Sequence, residues 1–434
     1  MGNFEDLQID KPLYEYCKNA TNKEGDTFVG IRSEIVDEKH NLTIYFPLGF
    51  DISKDETLVR NEIIQLLSVL QDYNDEQSQV ASISPEQLLK TVRFPAQAYI
   101  RVISEYLNSG YYKMIEDEFK LGQSGAISWN RTRKKVEPLV TKNGIVYSQY
   151  VVRQHSETDK QLITEISQYC VYESYVKIGW LYRMPDVPKP HRTRDLEVYK
   201  SYIHNMMLGA TKDRDKQLFS AMHDILNFTN QDDEPEEFYF GTNRFEYIWE
   251  RLIETTFGNE NKEYYFPRTK WLLDIGVEKT NKAIEPDTVM KKNHDIYVLD
   301  AKYYKFGDTL NPNHLPESTS INKQISYGEY IQTNAKFESE RKRGMTVYNA
   351  FLMPYNSRSK PFNDVSKRTY YSIGESVAEW KNSTETYERV QGILVDVKHL
   401  ISNAVRPNNI EIENLSNIIL ESIEKKEGYS SGAR

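Results

Sequence analysis

The spacing of apolar residues in the C-terminal half of the chain predicts a regular succession of helices and strands. Residues 243–257, NRFEYIWERLIETTF, carry their large apolar residues at helical spacing, on one face of a helix. Strand-like runs follow at 271–278, 284–290 and 295–304. A loop then leads to a helix near Ser320 and to a buried strand at 346–355, TVYNAFLMPY.

The tail of the chain, from residue 384 onward, is predicted to be helical because its apolar residues recur at helical spacing. These residues are Val390, Ile393, Leu394, Val397 and Leu400. The order helix, three strands, helix and strand predicts an α/β (α+β) fold, in which helices flank a mixed sheet.

The N-terminal half has a different pattern. Residues 27–50 contain short β-rich runs separated by a charged turn, which predicts a hairpin. Helical periods recur near 58–72, 86–108, 158–177, 195–208 and 214–228. The clearest break in composition is the acidic stretch QDDEPEE at 231–237. We therefore predict a mixed, mostly helical N-terminal region with β-hairpins at 1–236 and a second domain at 237–434.

Composition excludes several classes of protein. The 434 residues include only two cysteines, Cys17 and Cys170, outside any CxxC motif, which excludes a disulfide framework and a cysteine-rich zinc site. No apolar run approaches the ~20 residues that span a bilayer, and the acidic N-terminus does not resemble a signal peptide. We expect a cytoplasmic protein with no membrane partner. The net charge of −9 does not exclude nucleic-acid binding, which requires only a local basic surface.

The stretch IEPDTVMKKNHDIYVLDAKYY, residues 284–304, carries the main candidate for chemistry. A strand period of two places Asp300 and Lys302 on one face, and KKNHD can turn the chain so that Asp287 lies beside Asp300. Two convergent carboxylates beside a lysine suit phosphodiester hydrolysis. Asp287 and Asp300 would hold Mg²⁺ through oxygen ligands, and Lys302 would orient or activate the attacking water. A structural ion pair is the alternative, because ion-pair networks imitate active sites.

Other residues are weaker candidates. The helix at 243–257 carries Glu246, Glu250 and Glu254 at four-residue spacing, where a solvated helix edge is the simpler interpretation. Gln324 and Tyr327 could contact the DNA backbone, although such residues are more often ordinary surface positions. A basic cluster could grip phosphates or belong to a solvated loop. It consists of Arg131, Arg133, Lys134 and Lys135.

These residues together resemble the PD-(D/E)XK nuclease superfamily, through Pro286-Asp287 and then Asp300-Ala301-Lys302. More specifically, the chain is similar to the LlaJI family of restriction endonucleases. The similarity runs through GAISWNRTRKK, FEYIWERLI, Trp271, EPD, VLDAKYY, INKQISY and AFLMPY. It covers much of residues 120–355.

The resemblance implies a role for each matched position. Asp287 and Asp300 match the metal-binding acids and Lys302 the catalytic lysine. The helix glutamate is assigned to Glu250, in competition with Glu246 and Glu254. Gln324 matches the glutamine after the core strands. The metal ligands implied for Mg²⁺, or for Mn²⁺ as a substitute, are Asp287, Asp300, Glu250 and the main-chain carbonyl of Ala301.

The resemblance further implies a type II, site-specific endonuclease that cleaves double-stranded DNA in a restriction–modification system against phage. Residues 1–236 would then serve DNA recognition or assembly, and 237–434 would be the catalytic domain. Cutting both strands predicts a homodimer or a hetero-assembly. One alternative is an McrC-like nuclease subunit that works with an AAA+ GTPase, which would be another polypeptide because GxxxxGK[ST] is absent here. Another is a non-catalytic scaffold or DNA-binding subunit.

Overall fold

The structure is a computed structural model of the chain. It describes residues 11–36, 39–79, 95–142, 144–157, 162–182, 184, 186–191, 194–229, 238–359, 362, 368–382, 384–404 and 406–431. The strands in these residues are β1 (Cys17–Asn19), β2 (Val29–Val36), β3 (Lys39–Phe46), β4 (Ile115–Gly122), β5 (Ala126–Ile127), β6 (Leu139–Thr141), β7 (Gly144–Val146), β8 (Tyr150–Glu157), β9 (Phe238–Thr242), β10 (Lys270–Leu272), β11 (Glu278–Thr280), β12 (Thr288–Lys292), β13 (Asp295–Ala301), β14 (Val347–Tyr355), β15 (Tyr370–Ser376) and β16 (Val390–Asp396). The α-helices are α1 (Glu56–Gln79), α2 (Ala96–Ser109), α3 (Trp129–Lys135), α4 (Leu162–Ile178), α5 (Leu196–Gly209), α6 (Asp213–Thr229), α7 (Phe245–Phe257), α8 (Phe306–Thr309), α9 (Ser318–Thr333), α10 (Glu338–Lys342), α11 (Val397–Asn403) and α12 (Asn409–Ser431).

The described residues form two compact units. Unit 1 contains residues 95–229, and unit 2 contains residues 11–79 together with 238–431. Between the described residues 229 and 238 the chain passes from unit 1 to unit 2, and residues 11–79 pack with the C-terminal part of the chain in unit 2. The reason is strand pairing, since β2 pairs with β9 from Val29↔Thr242 to Ser33↔Phe238. The acidic stretch 231–237 lies outside the described residues.

Unit 2 is built on a five-stranded sheet in the order β12-β13-β14-β16-β15. The three central strands run parallel, and the two edge strands are antiparallel to their neighbours. Helix α9 covers one face through a cluster that includes Val298, Tyr327 and Ile331. On the other face Phe257 of α7 contacts Tyr370 of β15, with ring centroids 6.1 Å apart. This arrangement confirms the predicted α/β class with a mixed sheet flanked by helices.

The predicted turn between the two strands that carry the candidate acids is confirmed. Strand β12 ends at Lys292 and β13 begins at Asp295, so the turn is Asn293 and His294. Asn293 has φ 56°, a left-handed conformation that asparagine tolerates better than most residues. His294 is exposed there, as expected for a turn residue. The turn fixes the antiparallel register Thr288↔Leu299.

Three predicted elements differ from the structure. Residues 271–278 are not one strand: β10 and β11 form a small hairpin whose tip turns at Gly276, with φ 77°. The run 284–290 becomes a strand only at Thr288, because Pro286 cannot donate an N–H to a ladder. The tail is not helical from 384, because Val390–Asp396 form β16 and α11 begins at Val397. Every residue of β16 is buried, and such a continuous apolar run does not distinguish helix from strand.

A second sheet of unit 2, in the order β1-β3-β2-β9, contains the predicted N-terminal hairpin, β2 and β3. Helix α1 follows it and buries Val59, Ile63 and Leu66. The described part of the chain contains no helix that is both long enough and apolar enough to cross a membrane.

Unit 1 combines a three-stranded antiparallel sheet, β4-β8-β5, with the β6–β7 hairpin and four longer helices. The basic cluster predicted between strand-like segments lies on the short helix α3, not on a loop. The helices α2, α4, α5 and α6 bury apolar side chains against one another; these include Tyr99, Ile103, Ile166, Cys170, Tyr199, Ile203, Phe219 and Met222.

A histidine–glutamate pair joins α11 to α12 in unit 2. His399 Nε2 lies 3.0 Å from Glu411 Oε1, and the Tyr370 hydroxyl donates to the same carboxylate. The hydrogen bond that His399 donates to Glu411 raises the pKa of His399 and lowers the pKa of Glu411. Both groups therefore stabilise the fold when His399 is protonated and Glu411 is ionised. That contribution is lost as pH rises through the raised pKa of His399, and also as pH falls through the lowered pKa of Glu411.

We predict that His399→Gln destabilises the protein more at pH 6 than at pH 9. The loss at pH 6 should be about 1 kcal/mol, the scale of one partly exposed charge-assisted hydrogen bond. Denaturant unfolding at the two pH values measures it. Ser402→Ala, on the exposed side of the same helix, is the control and should show no such pH dependence. Equal losses for His399→Gln at both pH values would contradict the assigned interaction.

Candidate active site

The structure brings Asp287 and Asp300 together at one end of the β12–β13 pair. Asp287 directly precedes β12, and Asp300 is the penultimate residue of β13. The Ala301 N–H donates a hydrogen bond of 2.9 Å to Asp287 Oδ2, which continues the pairing of the two strands with a side chain. The predicted proximity of the two acids therefore follows from the register of one hairpin.

The environment of these acids disfavours two negative charges. Asp300 is only 5% exposed, and Asp287 is half-buried. Burial and the neighbouring Asp300 carboxylate raise the pKa of Asp287 to about 8, against the smaller opposing effect of the Ala301 N–H. Charged groups removed from water are costly unless they are compensated. The site therefore favours a proton or another cation beside Asp287.

Lys302 lies against Asp300 at the same edge. Its Nζ is 2.6 Å from Asp300 Oδ2, and its backbone N–H donates to Leu352 O of β14 at 2.9 Å. Burial opposes the charge of Lys302, but Asp300 and Asp287 outweigh that effect and raise its pKa. Lys302 is therefore protonated at neutral pH, and its ammonium group acts as a hydrogen-bond donor.

The structure separates the three glutamates of α7. Glu246 pairs with Arg244 at 3.3 Å, and Glu254 pairs with Lys262 at 2.8 Å. Glu250 is half-buried on the side of the helix that faces the acids. Burial raises the pKa of Glu250, Lys302 opposes the shift and Asp300 adds to it. Of the three, Glu250 is thus the one that interacts electrostatically with both Asp300 and Lys302.

Gln324 and Tyr327 lie beneath the site rather than on its surface. Gln324 is 1% exposed and its Nε2 donates to Val298 O of β13 at 2.6 Å. Tyr327 is fully buried, and its hydroxyl donates to Glu285 O at 2.8 Å. The predicted contact of Tyr327 with DNA requires an exposure that this side chain lacks. Gln324 instead holds the main chain two residues before Asp300, and Tyr327 holds it two residues before Asp287.

Several supporting contacts have no signal in the sequence. Lys262 Nζ donates to Asp287 O at 3.1 Å and also pairs with Glu254, so it ties α7 to the start of β12. The Tyr303 hydroxyl accepts a 2.7 Å hydrogen bond from the Leu48 N–H, more than 250 residues away in sequence. A single lysine and a main-chain amide belong to no sequence motif, so the sequence alone does not predict these two contacts.

The basic cluster belongs to unit 1 and is described there by itself. Arg131, Arg133, Lys134 and Lys135 are exposed on α3. The Arg131 guanidinium lies over the Phe119 ring, 3.6 Å from its centroid. Trp129 at the start of the helix is 50% exposed. The cluster is therefore a solvent-facing helix surface, and its binding of phosphate stays a prediction.

Comparisons with known proteins bear on what this arrangement does. The sequence profile of the LlaJI restriction endonuclease family matches residues 28–373. The chain belongs to the LlaJI restriction endonuclease family. No curated protein sequence matches the chain significantly.

A solved structure with some similarity is the refined half-complex from a tetradecameric assembly of Thermococcus gammatolerans McrB AAA+ hexamers with bound McrC. It shares 15% sequence identity, the alignment covers 91% of this chain and 83% of that chain, and the TM-score is 0.35. At that TM-score the similarity supports no further conclusion.

In this LlaJI-family chain the residues able to hold a metal ion are few. Among the described residues, no three His, Cys, Asp or Glu side chains are grouped closely enough to bind a metal by themselves. The carboxylates of Asp287 and Asp300 form a pair, because Asp300 contributes, after burial, to the raised pKa of Asp287. Mg²⁺ is commonly held by one or two carboxylates, with water and substrate phosphate as its remaining ligands. A pair of acids therefore suits Mg²⁺ better than a metal that needs a complete protein shell.

We predict that Tyr327→Phe destabilises the protein by about 1–2 kcal/mol, because it leaves the Glu285 carbonyl without its hydrogen-bond donor. Tyr330→Phe is the matched control on the same helix, since among the described residues its hydroxyl has no hydrogen-bond partner. It should change the free energy of unfolding by less than about 0.5 kcal/mol. Denaturant unfolding of both variants measures the difference. Equal effects would show that the Tyr327 hydroxyl does not support the Glu285–Asp287 segment.

Proposed function

We propose that this chain is a Mg²⁺-dependent restriction endonuclease that hydrolyses phosphodiester bonds of double-stranded DNA, with its active site at Asp287, Asp300 and Lys302. The observation that carries the proposal is the meeting of these three side chains at the edge of the β12–β13 hairpin. Membership of the LlaJI family supports DNA as the substrate class. The proposal includes site-specific, type II cleavage within a restriction–modification system.

The donor set fits Mg²⁺. Asp287 and Asp300 would supply hard oxygen ligands. Burial and, after it, the Asp300 carboxylate raise the pKa of Asp287, and a divalent cation would offset both effects. The main-chain carbonyl of Ala301, at the end of β13, and the Glu250 carboxylate are the further candidate ligands. Bound there, the ion would polarise the scissile phosphate and stabilise the charge that develops on it.

The chain's own residues have separate roles in this proposal. Lys302, protonated and fixed by Asp300, would donate a hydrogen bond that orients the attacking water and offsets negative charge on the phosphate. Glu250 would adjust the electrostatic field at Lys302 and Asp300. Gln324 and Tyr327 hold the backbone of β13 and of the Glu285–Asp287 segment, which keeps the acids in position.

We predict that Lys302→Ala lowers the Mg²⁺-dependent cleavage rate by at least about 10²–10³-fold, because it removes a donor placed at the reacting phosphate. Cleavage of unmodified and methylated genomic DNA, with and without nucleotide and an AAA+ partner, is the measurement. Lys342→Ala, an exposed lysine on α10 that pairs with Glu338, is the control and should retain full activity.

Full activity in a correctly folded Lys302→Ala protein would overturn the proposed site. Cleavage that requires nucleotide and a motor protein would favour the motor-dependent subunit. No cleavage under any of these conditions would favour the non-catalytic scaffold, in which Asp300 and Lys302 form a structural ion pair.

The glutamates of α7 provide a second test. We predict that Glu250→Gln slows cleavage by about 10–100-fold, the usual effect of a group that adjusts a metal site. Glu246→Gln should stay within about 2-fold, because Glu246 is paired with Arg244 away from the acids. Single-turnover cleavage rates at saturating Mg²⁺ distinguish the two variants. The reverse order would assign the helix glutamate to Glu246.

A further inference from the structure

The β10–β11 hairpin carries an exposed apolar surface that the active site does not use. All residues from Arg268 to Thr280 are exposed. The large apolar side chains among them are Trp271 at 61%, Leu272 at 65%, Leu273 at 41%, Ile275 at 79% and Val277 at 51%. A contiguous group of exposed apolar side chains of this size usually marks a binding surface.

The two faces of the hairpin differ in chemistry. Trp271 pairs with Lys279, and one pair nearer the tip the Leu273 N–H donates to Val277 O. Side chains that are paired across the strands, or two residues apart along one strand, lie on the same face. These four side chains therefore share one face. We call them the Trp271 face. At its base Asn281 Nδ2 donates to Thr269 Oγ1. The Trp271 face therefore changes from polar at the base to aromatic and cationic in the middle and apolar at the tip, and it carries no carboxylate.

The acids of the hairpin lie elsewhere. Glu278 belongs to the opposite face, where it pairs with Lys270 at 3.1 Å, and Asp274 lies in the turn. Lys279 and Arg268 form no ion pair within the described residues. Because the acids lie off the Trp271 face, Lys279 is the charged neighbour of the exposed Trp271 on that face. A cation beside an aromatic ring suits contacts with DNA phosphates and bases.

The hairpin is joined to the active site by a short, fixed segment. The Asn281 N–H donates to Thr269 O and the Ile284 N–H to Pro267 O, which closes the base of the hairpin. The chain then enters Glu285, Pro286 and Asp287. Ten residues separate Val277 from Asp287, so the tip lies at most about 35 Å from the acids. That distance is about one turn of B-DNA.

We propose that the Trp271 face contacts the groove and backbone of the duplex that is cut at Asp287 and Asp300. This inference rests on the proposed function. A two-stranded ribbon fits a DNA groove, and apolar side chains at a ribbon tip can enter between base steps while flanking cations contact phosphate. The apolar side chains of the Trp271 face, Trp271, Leu273 and Val277, together expose on the order of 300 Å², well below the ~800 Å² per partner of a stable protein interface, and the same face carries Lys279 and no carboxylate. DNA is therefore favoured over a second protein chain.

The test measures binding of a fluorescent 30-base-pair duplex to the full-length chain carrying Lys302→Ala, so that cleavage does not interfere. Adding Trp271→Ala with Leu273→Ser should weaken binding by about 10-fold. Adding Lys279→Ala should reduce the slope of log affinity against log salt by about 1. Leu272→Ser is the matched control on the opposite face, with a similar exposure, and should stay within about 2-fold.

Unchanged binding in the Trp271 and Leu273 variant would overturn the inference, as would an equal loss in Leu272→Ser. Light scattering gives a further readout. If the hairpin variants convert a dimer into monomers with unchanged DNA affinity, the surface is a protein contact instead. Cleavage by the wild-type chain is assayed in parallel. If the wild-type chain cuts DNA and the hairpin variants bind DNA normally, only this inference is overturned. If the wild-type chain neither binds nor cuts DNA, the proposed function is overturned.

Discussion

The close approach of Asp287 and Asp300 is the constraint on which the rest of the site depends. Burial and, after it, the neighbouring Asp300 carboxylate disfavour a negative charge on Asp287, and both raise its pKa. The surrounding structure holds them in place regardless. The Ala301 N–H donates a hydrogen bond to the Asp287 carboxylate, and Lys262 donates one to the main-chain carbonyl of Asp287. A fold that maintains such a repulsion has a strong electrostatic preference for a cation at that point.

The support for this pair comes from parts of the chain that are distant in sequence. Trp249 of α7 donates to Leu352 O of β14, and Tyr303, directly after Lys302, is held by Leu48 and Asn22 of the N-terminal segment. Residues 11–79 therefore contribute to the framework that holds the segment directly after Lys302.

Local patterns could be predicted from the sequence, and long-range ones could not. The turn at Asn293, the amphipathic α7 and the meeting of Asp287 with Asp300 follow from short stretches whose side-chain spacing determines their geometry. The sequence does not distinguish β16 from a helix, because a strand that is buried on both faces lacks the alternation of apolar and polar residues. Lys262 donates a hydrogen bond to the main-chain carbonyl of Asp287, and such a contact requires no particular residue type or spacing that a sequence pattern could reveal. The pairing of β2 with β9 depends on residues about 200 positions apart.

If the two proposals hold, the segment from Thr269 to Asp287 would carry both a DNA contact and a catalytic acid in one continuous stretch of chain. The hydrogen bonds at Asn281 and Ile284 close its hairpin, and Tyr327 fixes Glu285 immediately before the acid. A duplex seated against the Trp271 face would therefore be positioned by the same backbone that presents Asp287. A rigid backbone in this segment would favour catalysis, because a displacement of about 1 Å in a reacting group can lower the rate by about 10²-fold. In the proposed mechanism, the buried Tyr327 hydroxyl would contribute to the alignment of the phosphate, because its hydrogen bond to Glu285 O holds this segment in place.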